Sequence, residues 1–406
     1  MGSENPIAYD ICTEDDIAAA ARMISLAFAG TVESSEQWLR GAGLGHIRIV
    51  RERADDAPSA CLLRVPMGQY FGGRSVPMLG IAGVATAPES RGRGIGRRMM
   101  QEAVREAGRE GFAISTLYPS TPALYRQVGY ELAGHRFITT IPVGRIDVRE
   151  RAGAVRPLTD ADDSAVRSCY ARFAPLFDGM LDRGSYCWGR VRELRGAKFN
   201  GFGIGGFGIG EEGGKGLDGY IYINQHRESS SGFHDIATTD AVFATGAAGR
   251  RLLGFLADFA TVGENATLWG GPLHPLASLM SSRHCAVEKK DYWMVRVLDL
   301  ARAMEARGFA AGARGRGAIE VRDELIPGNN GTWMLSVEGG RGAAERAGSA
   351  SDAVRCDIRA LGPLYSGLYS ARQLALLGWI EGSTSAVAAL GEVFAGNGTP
   401  WMMDMF

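Results

Sequence analysis

Met78-Leu-Gly-Ile-Ala-Gly-Val-Ala-Thr-Ala-Pro88 is followed by Glu89-Ser-Arg-Gly-Arg-Gly-Ile-Gly96 and then by a run from Arg97 to Gly108. The first segment is short, apolar and β-compatible, and Pro88 stops it. The second sets Gly92, Gly94 and Gly96 among arginines. The third carries Met99, Met100, Ala103, Val104 and Ala107 at the spacing of one helical face. A strand, a glycine turn and a helix N-terminus converge backbone N–H groups on one point, where the helix dipole favours an anion. A solvated surface turn fits the loop equally well when the loop is read alone.

The surroundings narrow the choice. No acidic residue follows at the spacing of a dinucleotide site, and the Gly-Lys-Ser/Thr ending of a Walker loop is absent. A second apolar strand follows instead, Gly111 to Tyr118, and then Pro119-Ser-Thr-Pro-Ala-Leu-Tyr125-Arg-Gln-Val-Gly-Tyr-Glu131. Arg91-x-x-Gly94-x-Gly96, the strand, and Leu-Tyr-x-x-x-Gly-Tyr-Glu together resemble the GNAT acetyltransferases. The resemblance implies that the loop residues Gly92, Arg93, Gly94, Ile95, Gly96 and Arg97 hold the pyrophosphate of acetyl-coenzyme A. It further implies that Val84, Ala85 and Thr86, with Ser120 and Thr121, line the rest of the donor.

The 406 residues exceed one typical core, so two or three domains are expected. Hydrophobic residues make up 46% and charged residues 22%, the profile of a soluble globular chain. Apolar runs are too short to span a membrane and no charged-then-apolar leader is evident, so a cytoplasmic protein with no membrane partner is expected. A net charge of −1 argues against a general nucleic-acid role, which leaves anion binding to clusters such as Arg91, Arg93, Arg97 and Arg98. The six cysteines are scattered without a C-x-x-C pair and read as buried reduced thiols. The six histidines have no ligand spacing, so no metal is expected.

Along the chain, Ile7–Ile11 reads as a strand feeding a helix capped by Thr13. A helical piece spans Ser34–Leu39, and Ile47–Val50, Ala60–Val65 and Met67–Phe71 read as successive strands. The pattern restarts near Phe137, and Val155 to Asp163 repeats the strand-to-capped-helix opening. Residues 201–216 are glycine-rich and read as a hairpin turn. Asp235 to Leu256 echoes the strand, turn and helix of the organising stretch without its arginine–glycine spacing. Tyr292 to Gly308 reads as a strand entering a helix at a third boundary, followed by strands over 318–321, 331–337 and 354–358. The predicted class is α/β (α+β).

This order resembles the Eis (enhanced intracellular survival) family over nearly the whole chain. The matching residues are the Arg91–Arg97 loop, Leu117-Tyr-Pro-Ser120, Tyr125, Val295-Arg-Val-Leu-Asp299 and the aromatic C-terminus. The resemblance implies a catalytic GNAT domain over 1–135 and a second GNAT-like domain lacking the phosphate loop over 136–298. A sterol-carrier-protein-like domain over 299–406 would deliver the C-terminus. It implies a homo-oligomer, a hexamer in this family, and catalysis by Tyr125 as general acid and the terminal carboxylate of Phe406 as general base.

The chemistry is compatible with those roles. A phenol of pKa about 10 can return a proton to an alkyl thiolate. Packing between helix and sheet is the plain reading of Tyr125, and Tyr118 and Tyr130 are weaker candidates for the same role. A free α-carboxylate, pKa about 3.5, becomes a useful base when desolvated, and Pro400-Trp-Met-Met-Asp-Met-Phe406 is apolar enough to dock. The implied substrate is a primary amine on a small polyamine or aminoglycoside-like molecule. Near the expected site, carboxylates are few: Asp404 in the tail and Glu33 before it, with Phe28 and Trp38 as pocket wall or core. The alternatives are a protein-lysine acetyltransferase and a non-catalytic binder of acyl-coenzyme A or lipid.

Overall fold

The computed structural model describes residues 7–207, 216–227, 233–282, 284–348, 350, 352–396 and 398–406. Half of the glycine-rich turn expected over 201–216, residues 208–215, lies outside these residues; its described start continues the strand Asn200–Gly205. Among the described residues, one thirteen-stranded mixed sheet runs through the first two thirds of the chain, and a five-stranded sheet forms the last third.

Two similar modules build the large sheet. Each opens with a short strand and a threonine-capped turn: Thr13 with Asp16, and Thr159 with Asp162, form reciprocal capping boxes. Each then carries a parallel pair, Arg74–Thr86 beside Ile114–Leu117 and His234–Phe243 beside Gly263–Gly270. Helices Ile95–Arg109 and Gly246–Ala257 make the crossovers. The modules then exchange their closing strands. Ala286–Val297, late in the second module, pairs with Ile114–Leu117 of the first. Glu131–Pro142, from the first module, pairs with Gly263–Gly270 of the second. The two exchanged strands also pair with each other in the middle of the sheet.

Several segments differ from their sequence reading. Ala60–Phe71 is one strand, not two. Pro66 interrupts neither its pairing with Leu79 nor a neighbour on the other edge, because none is paired there between Leu63 and Gly68 among the described residues. The strand expected to restart at Phe137 belongs to Glu131–Pro142, which crosses the 135/136 boundary unbroken. The six cysteines are all free thiols, five of them buried.

The third domain packs helix Thr384–Val393 across its sheet so closely that a Cβ on Gly317 would lie 3.2 Å from Leu390 backbone. Ile319, Trp333, Leu335, Leu361, Leu364 and Leu390 fill its interior. A buried ion pair, in which Arg296 Nη2 donates to both carboxylate oxygens of Asp323 at 2.7 and 2.8 Å, ties it to the exchanged strand Ala286–Val297. Among the described residues no single helix is long and apolar enough to cross a membrane.

Candidate active site

Strands Arg74–Thr86 and Ile114–Leu117 pair from Met78 and Ile114 to Ile81 and Leu117, then part. The parting begins beside a β-bulge, where Gly83 and Val84 together oppose Leu62. Gly83 has φ +56°, and a Cβ there would lie 2.6 Å from the Trp38 ring, so glycine is required twice over. Val84 and Thr86 are half-buried and Ala85 is buried in the parted segment.

The loop behind this gap runs through a turn at Pro88–Ser90 into helix Ile95–Arg109. Gly92 and Gly94 have φ +76° and +74°, and a Cβ on either would meet open space. Gly96 sits one helical residue in, where a Cβ would touch Thr86 Oγ1 at 3.3 Å. Ile95, Met99, Met100, Ala103, Val104 and Ala107 are buried against Leu79, Ile81, Leu117 and Tyr125, which aims the helix N-terminus at the gap. Arg93 is ion-paired with Glu52, and Arg91 Nε donates to Thr86 O at 3.4 Å. Arg97 is half-buried on the first turn. The loop is thus open at Gly92 and Gly94, at the helix end where backbone N–H groups and the dipole favour an anion.

Tyr125 lies on the short helix Pro122–Arg126 and is 4% exposed. Burial pushes its phenol above the ordinary value, and a hydrogen bond with Ser120 opposes the shift. Ser120 and Thr121 are exposed at the start of that helix. Tyr130 packs edge-on against Tyr125 at 6.3 Å and spends its hydroxyl on Ser115 Oγ, 2.7 Å away. Tyr118 faces the opposite side of the sheet, where its hydroxyl donates to Asp404 O at 2.6 Å. Both alternatives are thus engaged in holding structure.

The C-terminal segment is docked residue by residue. Pro400 O accepts from His135 N at 3.3 Å, and Trp401 N donates to Asp178 O at 2.9 Å. Met403 O accepts from Arg136 Nε and Met405 O from Arg190 Nε, each at 2.9 Å. The Phe406 ring is 8% exposed and lies edge-on to Tyr118 at 5.7 Å. A Cβ on Gly80 would fall 2.8 Å from that ring, so the glycine leaves room for it on the strand that leads into the gap.

Tyr125 packs with Leu79, Ile81 and Leu117 on one face of the parallel pair, whereas Phe406 packs with Tyr118 and Met67 on the other. Gly80, Gly83, Arg183 and Arg190 were not singled out by the sequence; glycines inside an apolar strand were the available signal for the first two. The cleft of about 690 Å³ between Arg126, Glu131, Arg359 and Trp379 is elsewhere, and its charges neutralise one another: Arg126 to Glu131 at 2.8 Å, Arg359 to Asp357 at 2.9 Å. Among the described residues no group of His, Cys, Asp and Glu could hold a metal ion.

Known proteins show the same organisation. Residues 8–133 and 179–297 each match a family described as acetyltransferase (GNAT) domain, and residues 300–403 match the sterol carrier protein domain. An uncharacterised N-acetyltransferase of Streptomyces coelicolor is 27% identical over 362 residues, covering 82% of either chain. The crystal structure of a GCN5-related N-acetyltransferase from Anabaena variabilis superposes with a TM-score of 0.91 at 29% identity, covering 99% of this chain and 100% of that one. Eis1 from Mycobacterium abscessus shares the fold, with a TM-score of 0.78 at 22% identity, over 99% of this chain and 100% of its own. The chain is an acetyltransferase of the GNAT superfamily, built as two GNAT domains and a sterol carrier protein domain in the manner of Eis.

Proposed function

We propose that the protein is an acetyl-coenzyme A-dependent N-acetyltransferase that acts on a primary amine of a small molecule at the gap between the parted strands. The observation that carries this reading is the open glycine loop at the N-terminus of helix Ile95–Arg109, supported by a buried phenol on the same face of the parallel pair and a docked C-terminal segment on the other. GNAT domains use acetyl-coenzyme A, whose thioester supplies the acetyl group. The loop fits its pyrophosphate, because Gly92 and Gly94 leave the cradle open and the helix N-terminus faces it. Gly92, Arg93, Gly94, Ile95, Gly96 and Arg97 would hold the phosphates. Val84, Ala85 and Thr86 would offer backbone groups to the pantetheine arm, and Ser120 and Thr121 would flank its end.

Tyr125 keeps its proton at neutral pH, since burial raises its pKa, and serves as the general acid. The Phe406 carboxylate takes the proton of the attacking amine, directly or through a water. The expected acceptor class is a polyamine or an aminoglycoside-like amine, and the expected working state is a homo-oligomer in the cytoplasm; the resemblance to the Eis family supports the acceptor class and the oligomer. A thiol-release assay with acetyl-coenzyme A across a panel of small amines tests the activity. No release above background with any amine would remove the reading.

Two substitutions separate donor binding from chemistry. Gly94→Glu puts a side chain at φ +74° and a negative charge where phosphate would lie. We expect at least about a tenfold loss of coenzyme A affinity by calorimetry; unchanged affinity would remove the loop from the site. Gly80→Ala crowds the Phe406 ring. Turnover should fall about tenfold while coenzyme A affinity stays within about twofold, and equal losses in both would assign Gly80 to the donor instead.

A further inference from the structure

The second acetyltransferase domain has its own parallel pair, and its strands part in the same way. Pairing joins His234–Phe243 to Gly263–Gly270 only as far as Ala237 and Thr267. In the first domain the corresponding gap faces a glycine loop. In the second, the residues beyond the last pair hold arginines. Asp240 takes Arg183 in a bidentate bond at 2.7 Å on both arms, and Tyr220 Oη also donates to Asp240 at 2.8 Å. Trp269 carries the Arg136 guanidinium 3.4 Å above its ring.

Both arginines reach the C-terminal tail. Arg183 Nε lies 2.8 Å from Asp404 Oδ1, with both side chains buried, and Arg136 holds Met403 O. Arg183 also stacks on Tyr170 at 4.0 Å. Burial works to discharge Arg183, and Asp240 and then Asp404 outweigh it, so the guanidinium stays charged. On the helix Ser185–Arg192 that follows, Arg190 holds Met405 O and reaches Tyr186 Oη at 3.4 Å. Tyr186 in turn accepts from Trp38 Nε1 at 2.9 Å. Residues 178–192 are themselves fastened to the first domain: Gln69 Nε2 donates to Gly179 O, and Ser75 Oγ to Asp182.

We propose that Arg183 and Arg190 are positioning residues that fix the chain terminus, and that the second domain has converted its parted strands from a donor cleft into the seat of this clamp. The proposal rests on the reading of the Phe406 carboxylate as the base. Its physical content is that a carboxylate at a chain end has no element beyond it to restrain it. A terminus frays unless its backbone is tied down. Here the ties at positions 403, 404 and 405 come from Arg136, from Tyr118 with Arg183, and from Arg190.

The test uses the full chain carrying Asp404→Asn, Arg190→Met or Arg190→Lys. Arg190 is only half-buried, so its variants keep the fold accessible even where Asp404→Asn does not. The first readout is the rate at which carboxypeptidase A releases Phe406 from the native protein. Asp404→Asn and Arg190→Met should each raise it about tenfold, the size expected for losing a hydrogen bond to a charged group. The second is kinetics: kcat should fall about tenfold with KM for acetyl-coenzyme A within about twofold, and Arg190→Lys should recover most of the loss. Release within about twofold of the parent in both variants would overturn the clamp, as would reduced kcat with unchanged release. Full turnover in a C-terminally extended protein would instead remove the carboxylate from the chemistry, and the release rates would still decide the clamp.

Discussion

A protein carrying extra residues after Phe406 should lose about 10²-fold or more in turnover while binding coenzyme A as the unmodified protein does. The extension replaces the terminal carboxylate with a neutral amide at a fixed place. Deleting Phe406 is the complementary change. It leaves a new carboxylate on Met405, drawn back by about 3.5 Å, and a shift of that size costs about 10²-fold where geometry is demanding. The docking bonds at Pro400, Trp401, Met403, Asp404 and Met405 all precede the deleted residue, so the tail stays seated. Donor affinity should therefore hardly move, whereas the lost burial of the Phe406 side chain should lower the melting temperature. Phe406→Leu keeps the charge and much of the apolar contact with Tyr118, so it should retain activity within about tenfold. Steady-state kinetics on the extended, truncated and Leu proteins, beside the parent, make the comparison. Full turnover in the extended protein would return the search for a base to side chains such as Glu33 and Glu36.

What could be read from the sequence was local. The glycine loop, the helix face from Met99 to Ala107 and the Thr13 and Thr159 caps are set by residues within a few positions of one another. Periodicity assigns an element its type and its buried face, yet says nothing about which strand lies beside it. The exchange of Glu131–Pro142 and Ala286–Val297 is invisible for that reason. It also explains why a boundary drawn at residue 135 cuts a single strand: the strand serves the first domain at one end and the second at the other. The clamp was hidden more deeply. Arg183 and Asp240 are 57 positions apart, and each looks like an ordinary surface charge until both are found buried. The tail was legible as apolar enough to dock, but not its bonding to arginines from two distant stretches of the chain, Arg136 in one and Arg183 and Arg190 in the other.

Tyr125→Phe is the second change expected to cost about 10²-fold or more in turnover. It removes one hydroxyl and little volume, so packing against Leu117 and Tyr130 should survive. The hydroxyl's named partner is Ser120, which is exposed and can turn to water when the phenol is gone. A stability loss should therefore be small, and coenzyme A affinity should stay near the parent's. The discriminating measurement is the split between kcat and KM for the donor. A group that gives its proton only as the leaving thiolate develops affects kcat and kcat/KM alike. A group that merely packs beside the donor would raise KM. Tyr118→Phe supplies the contrast. Its hydroxyl holds Asp404 O, so that variant should loosen the tail without touching the acid. The two variants should then differ in carboxypeptidase release of Phe406, fast for Tyr118→Phe and unchanged for Tyr125→Phe. Turnover within about twofold of the parent in Tyr125→Phe would show that the phenol is not the acid, and a Tyr118→Phe protein slowed without faster release would make Tyr118 the acid in its place.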